Sequence, residues 1–337
     1  MKAVGYRHPL PITDPAALED LQLPDPTPGP RDLLVRVRAV SVNPVDTKVR
    51  RSTPPAEGSD AKVLGWDAVG TVEAIGAEVQ GFQAGDRVYY AGSIVRPGSN
   101  SELHTVDARI AALAPATLSD AQAAALPLTA ITAYELLFDR LGVPKGGGAG
   151  QTLLVIGGAG GVGSILVQLA RTLTQLRVVA TASRPETRQW CLDLGAHLVI
   201  DHGKPLAEEL RAAGIPEVDL VASLTQTKHH YAQIVEALKP QGKLGLIDDM
   251  DALDVTALKR KALSLHWELM FTRPIFDTPD IAEQGRLLAE VAALVDAGRV
   301  RTTLAEHFGT INAANLTRAH VLLESGTARG KVVLEGF

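Results

Sequence analysis

A single cysteine, Cys191, in a chain of 337 residues rules out an internal disulfide and any site that needs two or more thiolates. Dense runs of positive charge are also missing. Thirty-three Lys and Arg face 38 Asp and Glu, for a net charge of −5. Nucleic acid and anionic membrane are therefore not expected as partners. No apolar run approaches the roughly 20 residues of a spanning helix. No basic segment leads MKAVGYRHPL into an apolar stretch, so no secretory signal is predicted. The expectation is a soluble, cytoplasmic protein without internal repeats or low-complexity tracts.

What the chain does have is length and apolar content. Its 337 residues exceed the usual reach of one core, and a 46% hydrophobic fraction can fill two. Up to about Thr129 the signals are for strands and turns: LLVRVRAVSV and AVGTVEAIG alternate or carry β-branched runs, and Gly-Asp punctuation sets off GFQAGDRVYYAG. The passage SDAQAAALPLTAITAYELLFDRLGV has helical spacing with an interruption at Pro127. From Thr152 to Met270 short apolar strands alternate with helices: TLLVI, RVVATAS, HLVIDH, VDLVASL, KLGLIDD and LSLHWELMF read as strands. Repeated βα units of this length require a parallel sheet covered on both faces. The tail from about Ile281 changes texture and is expected to rejoin the first domain. The predicted fold is α/β, with a β-rich domain at 1–129 and 271–337 and an inserted Rossmann domain at 130–270.

The segment TLLVIGGAGGVGSILVQLARTL carries the clearest chemistry. A strand runs into glycines and a helix opens at once. This arrangement lets backbone approach a pyrophosphate and points free N–H groups at it. Gly158, Ala159, Gly160, Gly161, Val162 and Gly163 are the predicted cradle. An NAD enzyme usually ends its second strand in Asp or Glu, about 20 residues beyond the glycines. Here Ser183 and Arg184 stand there instead, leaving no carboxylate to repel a 2′-phosphate and a guanidinium to bind one. NADPH is the predicted coenzyme; the alternative for Arg184 is a solvated loop cation.

AVSVNPVDTKVR, GWDAVGTVEAIG, AGDRVYYAG, the GGAGGVG turn, TASR and SGTARGKVVLEG together resemble the zinc-independent quinone-oxidoreductase branch of the medium-chain dehydrogenase/reductases, over almost the whole chain. That resemblance implies a GroES-like catalytic domain beside the Rossmann domain, with the active site in the cleft between them. It implies coenzyme contacts at Thr132, Leu224, Ile247, Phe271 and Lys331, and puts His202 where relatives have a tyrosine near the 2′-phosphate. A surface role for His202 stays open.

Zinc-dependent members need a Cys and His ligand set. Asn43 and Asp46 stand where such a member would begin with Cys, and Trp66 where it would have His, so no metal is predicted. Without a Lewis acid, alcohol oxidation lacks its usual alkoxide stabilisation. Hydride addition to a quinone or α,β-unsaturated carbonyl needs only donors for a delocalised charge. The resemblance makes Asn43 and Lys48 the candidate catalytic residues, with Trp66 and Tyr90 shaping the substrate pocket. Asp46 is expected to be a structural acceptor, and Asn43 before Pro44 also suits a turn. The competing readings are a zinc-free carbonyl reductase or alcohol dehydrogenase, and a non-catalytic NADPH-binding protein. A homodimer is expected, because LSLHWELMF would leave an apolar edge on the Rossmann sheet.

Overall fold

The computed structural model describes residues 1–337, and the chain divides into two compact units, Met1–Ile131 with Phe271–Phe337, and Thr132–Met270.

The first unit is built around the strand Asp32–Val42. In its first half Leu33, Val35 and Val37 point inward while Arg36 and Arg38 point out, the two-residue period of a half-buried strand. From Ala39 to Val42 every residue is buried. The cause is the returning tail: Lys331–Glu335 pairs antiparallel with it, Val332 opposite Val42 and Glu335 opposite Ala39. On the other edge Asp32–Val42 pairs with Ala68–Ile75, which pairs in turn with Arg87–Tyr90. The tail therefore supplies a central strand to a sheet begun by the N-terminal third.

The second unit holds a six-stranded sheet in the order Leu198–Ile200, Arg177–Thr181, Thr152–Ile156, Val218–Ser223, Leu238–Leu246, Ser264–Trp267, all parallel. TLLVI is fully buried because helices cover both faces. In chain order the sheet runs 3-2-1-4-5-6, so the connections reverse direction between Thr152–Ile156 and Val218–Ser223. Ligands bind outside the carboxyl ends of the strands at such a switch point.

Two predicted elements differ in form. The strand read as LSLHWELMF ends at Trp267, its last ladder partner being Leu246. The helical passage before Gly142 is three pieces: Asp120–Ala124, Pro127–Tyr134, and a π-helical stretch Glu135–Arg140. The Leu141 N–H reaches back five residues to the Leu136 carbonyl, which widens the turn. Gly245 makes room for it, since a Cβ there would lie 2.6 Å from Leu136 Cδ1.

Candidate active site

Five successive strand ends gather the coenzyme residues predicted in the second unit. Gly158 to Gly163 follow Ile156, Ser183 and Arg184 follow Thr181, His202 follows Ile200, Leu224 follows Ser223, and Ile247 follows Leu246. The register makes them neighbours: Ser223 is level with both Ile156 and Leu246, and Thr181 with Ile200. Thr132 is buried in the helix Pro127–Tyr134.

The glycine turn is as tight as its sequence suggests. Gly157 has φ +83°, and its N–H donates to the Thr181 hydroxyl at 3.1 Å. A Cβ on Gly163 would lie 2.3 Å from the Gly157 carbonyl oxygen, so helix and turn touch through bare backbone. A Cβ on Gly158 would meet Ala180 Cβ at 2.7 Å and Cys191 Sγ at 3.2 Å. Cys191 is thus packing beneath the turn, and burial pushes its thiol up to about 12, which removes it as a nucleophile. The helix Gly161–Leu173 is capped by Gly160, and the first-turn N–H groups of Gly161, Val162 and Gly163 have no intrahelical acceptor. These features fit a dinucleotide pyrophosphate.

Arg184 is the cap residue of the helix Pro185–Asp193, its side chain 46% exposed and its Nε 3.3 Å from Glu186 Oε1. An exposed pair of this kind is weak enough for a phosphate dianion to displace. Arg188, which sequence reasoning passed over, ties the second and third strands by donating to the carbonyls of Ala182 and Val199. His202 turns its ring toward His230, with centroids 6.3 Å apart, and its Nδ1 is buried without a partner.

In the first unit the predicted catalytic residues meet an unpredicted pair. Asp67 is fully buried, and Lys331 Nζ donates to its Oδ2 at 2.8 Å, and also to Asn43 Oδ1 and the Val42 carbonyl. Asn43 Nδ2 donates to the same Asp67 oxygen at 2.8 Å, and the Leu128 N–H donates to Asp67 Oδ1 at 2.7 Å. Asp46 accepts from the backbone N–H groups of Asn43 at 2.7 Å and Gly65 at 3.0 Å, the structural role expected of it. Burial drives the Asp46 carboxyl up to about 7 and raises Asp67 as well, while Lys331 pulls both down.

Four of the predicted residues are closely packed here. Lys331 is 3% exposed, and its ammonium is held inside the first unit by Asp67, Asn43 and the Val42 carbonyl. Both ends of the Asn43 amide are engaged inside the chain, and it is 1% exposed. It anchors the start of the helix Pro44–Ser52. Trp66 donates from Nε1 to the Ser93 carbonyl and meets the edge of Phe271, the latter a core residue of the first unit. Tyr90 is stacked on His104 and bonded to its Nδ1 at 3.0 Å. Because His104 Nε2 faces the Pro97 carbonyl at 2.9 Å, that nitrogen carries the proton and Tyr90 is the donor. Trp66 and Tyr90 are both buried. Lys48 is half-buried on the helix that Asn43 anchors.

A zinc ion does not fit these residues. No three His, Cys, Asp or Glu side chains come together as a ligand set. Of the two buried carboxylates there, Asp67 already has a lysine ammonium against it and Asp46 accepts from two backbone N–H groups.

Together, a dinucleotide turn at a Rossmann switch point and a β-rich unit completed by the chain's own tail define a two-domain oxidoreductase. The first unit matches the alcohol dehydrogenase GroES-like domain over residues 29–116, and residues 194–334 match the zinc-binding dehydrogenase description. A zinc-type alcohol dehydrogenase-like protein of Staphylococcus aureus is 39% identical over 99% of both chains. A Pseudomonas aeruginosa quinone oxidoreductase is 30% identical over 95% of this chain and 96% of its own. A Rhizobium etli crystal structure, named after the zinc-dependent alcohol dehydrogenases, is 60% identical with a TM-score of 0.96, covering 100% of this chain and 98% of that one. The chain belongs to the medium-chain dehydrogenase/reductase family, in its quinone oxidoreductase-like branch.

Proposed function

We propose that the protein is an NADPH-dependent, zinc-independent reductase of quinones or α,β-unsaturated carbonyls. The observation that carries this reading is a tight glycine turn suited to a dinucleotide in a chain where Asn43, Asp46 and Trp66 stand at the places the resemblance gives to metal ligands, beside a buried lysine–aspartate pair. Bound NADPH would supply a hydride. The first-turn amides after Gly160 hold the pyrophosphate, and Arg184 exchanges Glu186 for the 2′-phosphate. Lys48 is the proposed donor to the oxygen that gains charge. Asn43 acts through it, by fixing the helix that carries it.

The exposed Trp267, at the end of the outer strand of the Rossmann sheet, and Leu269 just beyond it, 51% and 53% accessible, support a homodimer formed across that edge. The names of the nearer relatives favour carbonyl or alcohol chemistry as a second reading.

The deciding experiment is NADPH oxidation across quinones, enones and simple aldehydes with EDTA present, beside elemental analysis. Turnover with an activated alkene or quinone and no stoichiometric zinc is the expected result. EDTA-sensitive alcohol oxidation without enone or quinone reduction would overturn it, and activity on aldehydes alone would select the second reading.

A further inference from the structure

The second unit contains a buried acid pair that the coenzyme site leaves unused. Glu135 opens the π-helical stretch and is 0% exposed; Glu268 follows the last strand and is 2% exposed. Arg140 Nε donates to Glu268 Oε2 at 2.8 Å. Glu268 Oε1 is buried and receives no N–H or O–H from the chain, and the Glu135 side chain lies within hydrogen-bonding reach of the Glu268 carboxyl group. Two carboxyl groups can bond to each other only with a proton between them.

The charge balance agrees with the geometry. Two buried carboxylates set against each other carry a large desolvation and repulsion cost, which one shared proton relieves. Burial first, and Glu135 second, push the Glu268 acid up to about 9. Lys243 and His266, on the two strands beside this stretch, have partners of their own. Lys243 donates to the Leu141 carbonyl at 2.7 Å, and His266 bonds to Ser264 at 3.0 Å with its basicity lowered by burial, Lys243 and Arg140.

The pair also has a particular place in the chain. Glu135 lies just beyond the first passage between the two units, at 131–132, and Glu268 just before the second, at 270–271. The Glu268 N–H donates to the Leu246 carbonyl at 3.0 Å, so its backbone extends the carboxyl edge beside Ile247. A bond between these side chains ties both passages together inside the second unit.

We propose that Glu135 and Glu268 are positioning residues which, sharing one proton beside Arg140, lock the π-helical stretch to residues 268–270 and hold that segment at the coenzyme edge of the sheet. The coenzyme part of this proposal rests on the function proposed above; the lock itself does not.

The test is amide hydrogen exchange of residues 136–141 and 266–270, corrected for intrinsic rates, in the wild type, Glu268→Gln and Glu268→Ala. In the wild type, protection falls at least about tenfold between about pH 7 and about pH 10, as the shared proton is lost. Glu268→Gln keeps a donor toward Glu135 and an acceptor for Arg140 without a titrating proton, so its protection stays at the neutral wild-type level across the range. Glu268→Ala exchanges fast at both ends. A flat wild-type profile, a step that survives in Glu268→Gln, or unchanged protection in Glu268→Ala would each overturn the lock. NADPH affinity is titrated separately by fluorescence. If the lock holds while Glu268→Ala binds NADPH and turns over as well as wild type, the positioning role fails and the lock stands. If the wild type binds no NADPH, the coenzyme reading fails and the exchange result still decides the lock.

Discussion

Replacing Lys331 with methionine tests the account of the first unit most directly. The substitution keeps the aliphatic stem and removes the ammonium, which lies 2.8 Å from a carboxylate with no exposure to water. Asp67 would retain its bonds from Asn43 Nδ2 and the Leu128 N–H but would lose its only full countercharge. Breaking a buried ion pair from one side costs about 3 to 5 kcal/mol. The Asn43 carbonyl oxygen also loses its donor, adding about 1 kcal/mol or more.

The cost must depend on pH. Burial already holds the Asp67 acid above its ordinary value even with Lys331 present, and without Lys331 it rises further. A raised folded-state acid contributes stability that is complete below the ordinary carboxylate range and is lost as pH rises through the folded value. Lys331→Met should therefore be mild near about pH 5 and severe near about pH 8. Asp67→Asn combined with Lys331→Met leaves no charge to strand, and the double variant should recover about 2 to 4 kcal/mol relative to the sum of the singles. Urea unfolding followed by circular dichroism and by tryptophan fluorescence reads both quantities, Trp66 being the neighbour of Asp67. A loss below about 1 kcal/mol at neutral pH, or strict additivity in the cycle, would refute the reasoning.

Three further outcomes are expected. Gly163→Ala puts a Cβ 2.3 Å from the Gly157 carbonyl oxygen and should weaken NADPH binding about 100-fold, read by coenzyme fluorescence, while leaving the first unit's unfolding unchanged. Arg184→Ala should reduce NADPH affinity by about tenfold and leave NADH affinity unaltered, because one charge-assisted contact is worth about 1.5 to 3 kcal/mol; equal wild-type affinities for the two coenzymes would sink the phosphate role. Burial lowers His104 to about 4, so its stabilising effect is present above its unfolded value and is lost as pH falls through the folded one. His104→Gln should flatten the stability profile between about pH 6.5 and 4 by up to about 3 kcal/mol, measured by urea midpoints; an unchanged slope would contradict the neutral imidazole.

The coenzyme half was legible because its signals are local. An apolar pentad before glycines, a helix opening without a loop and a strand followed by Ser183-Arg184 each depend on neighbours within a few residues, and chain order then makes the sheet parallel. The return of the tail was legible for a similar reason, since KVVLEGF is too apolar to be left without a partner strand.

What only the tertiary structure decided lies at long separation or in fine packing. Asp67 and Lys331 are 264 residues apart, and no periodicity links them. Nothing in the local sequence says how deeply an aromatic is buried or what it meets, so only the fold sets Trp66 against Phe271 and Tyr90 against His104. The widened turn at Glu135–Arg140 has no sequence signature of its own; it depends on the space that Gly245 leaves on a strand about 100 residues later. Glu268 looked like one polar residue in an apolar run, and only the fold set a second acid against it. Sequence fixes what a residue can do alone or with near neighbours, whereas charge pairing, proton sharing and burial belong to groups that the fold alone brings together.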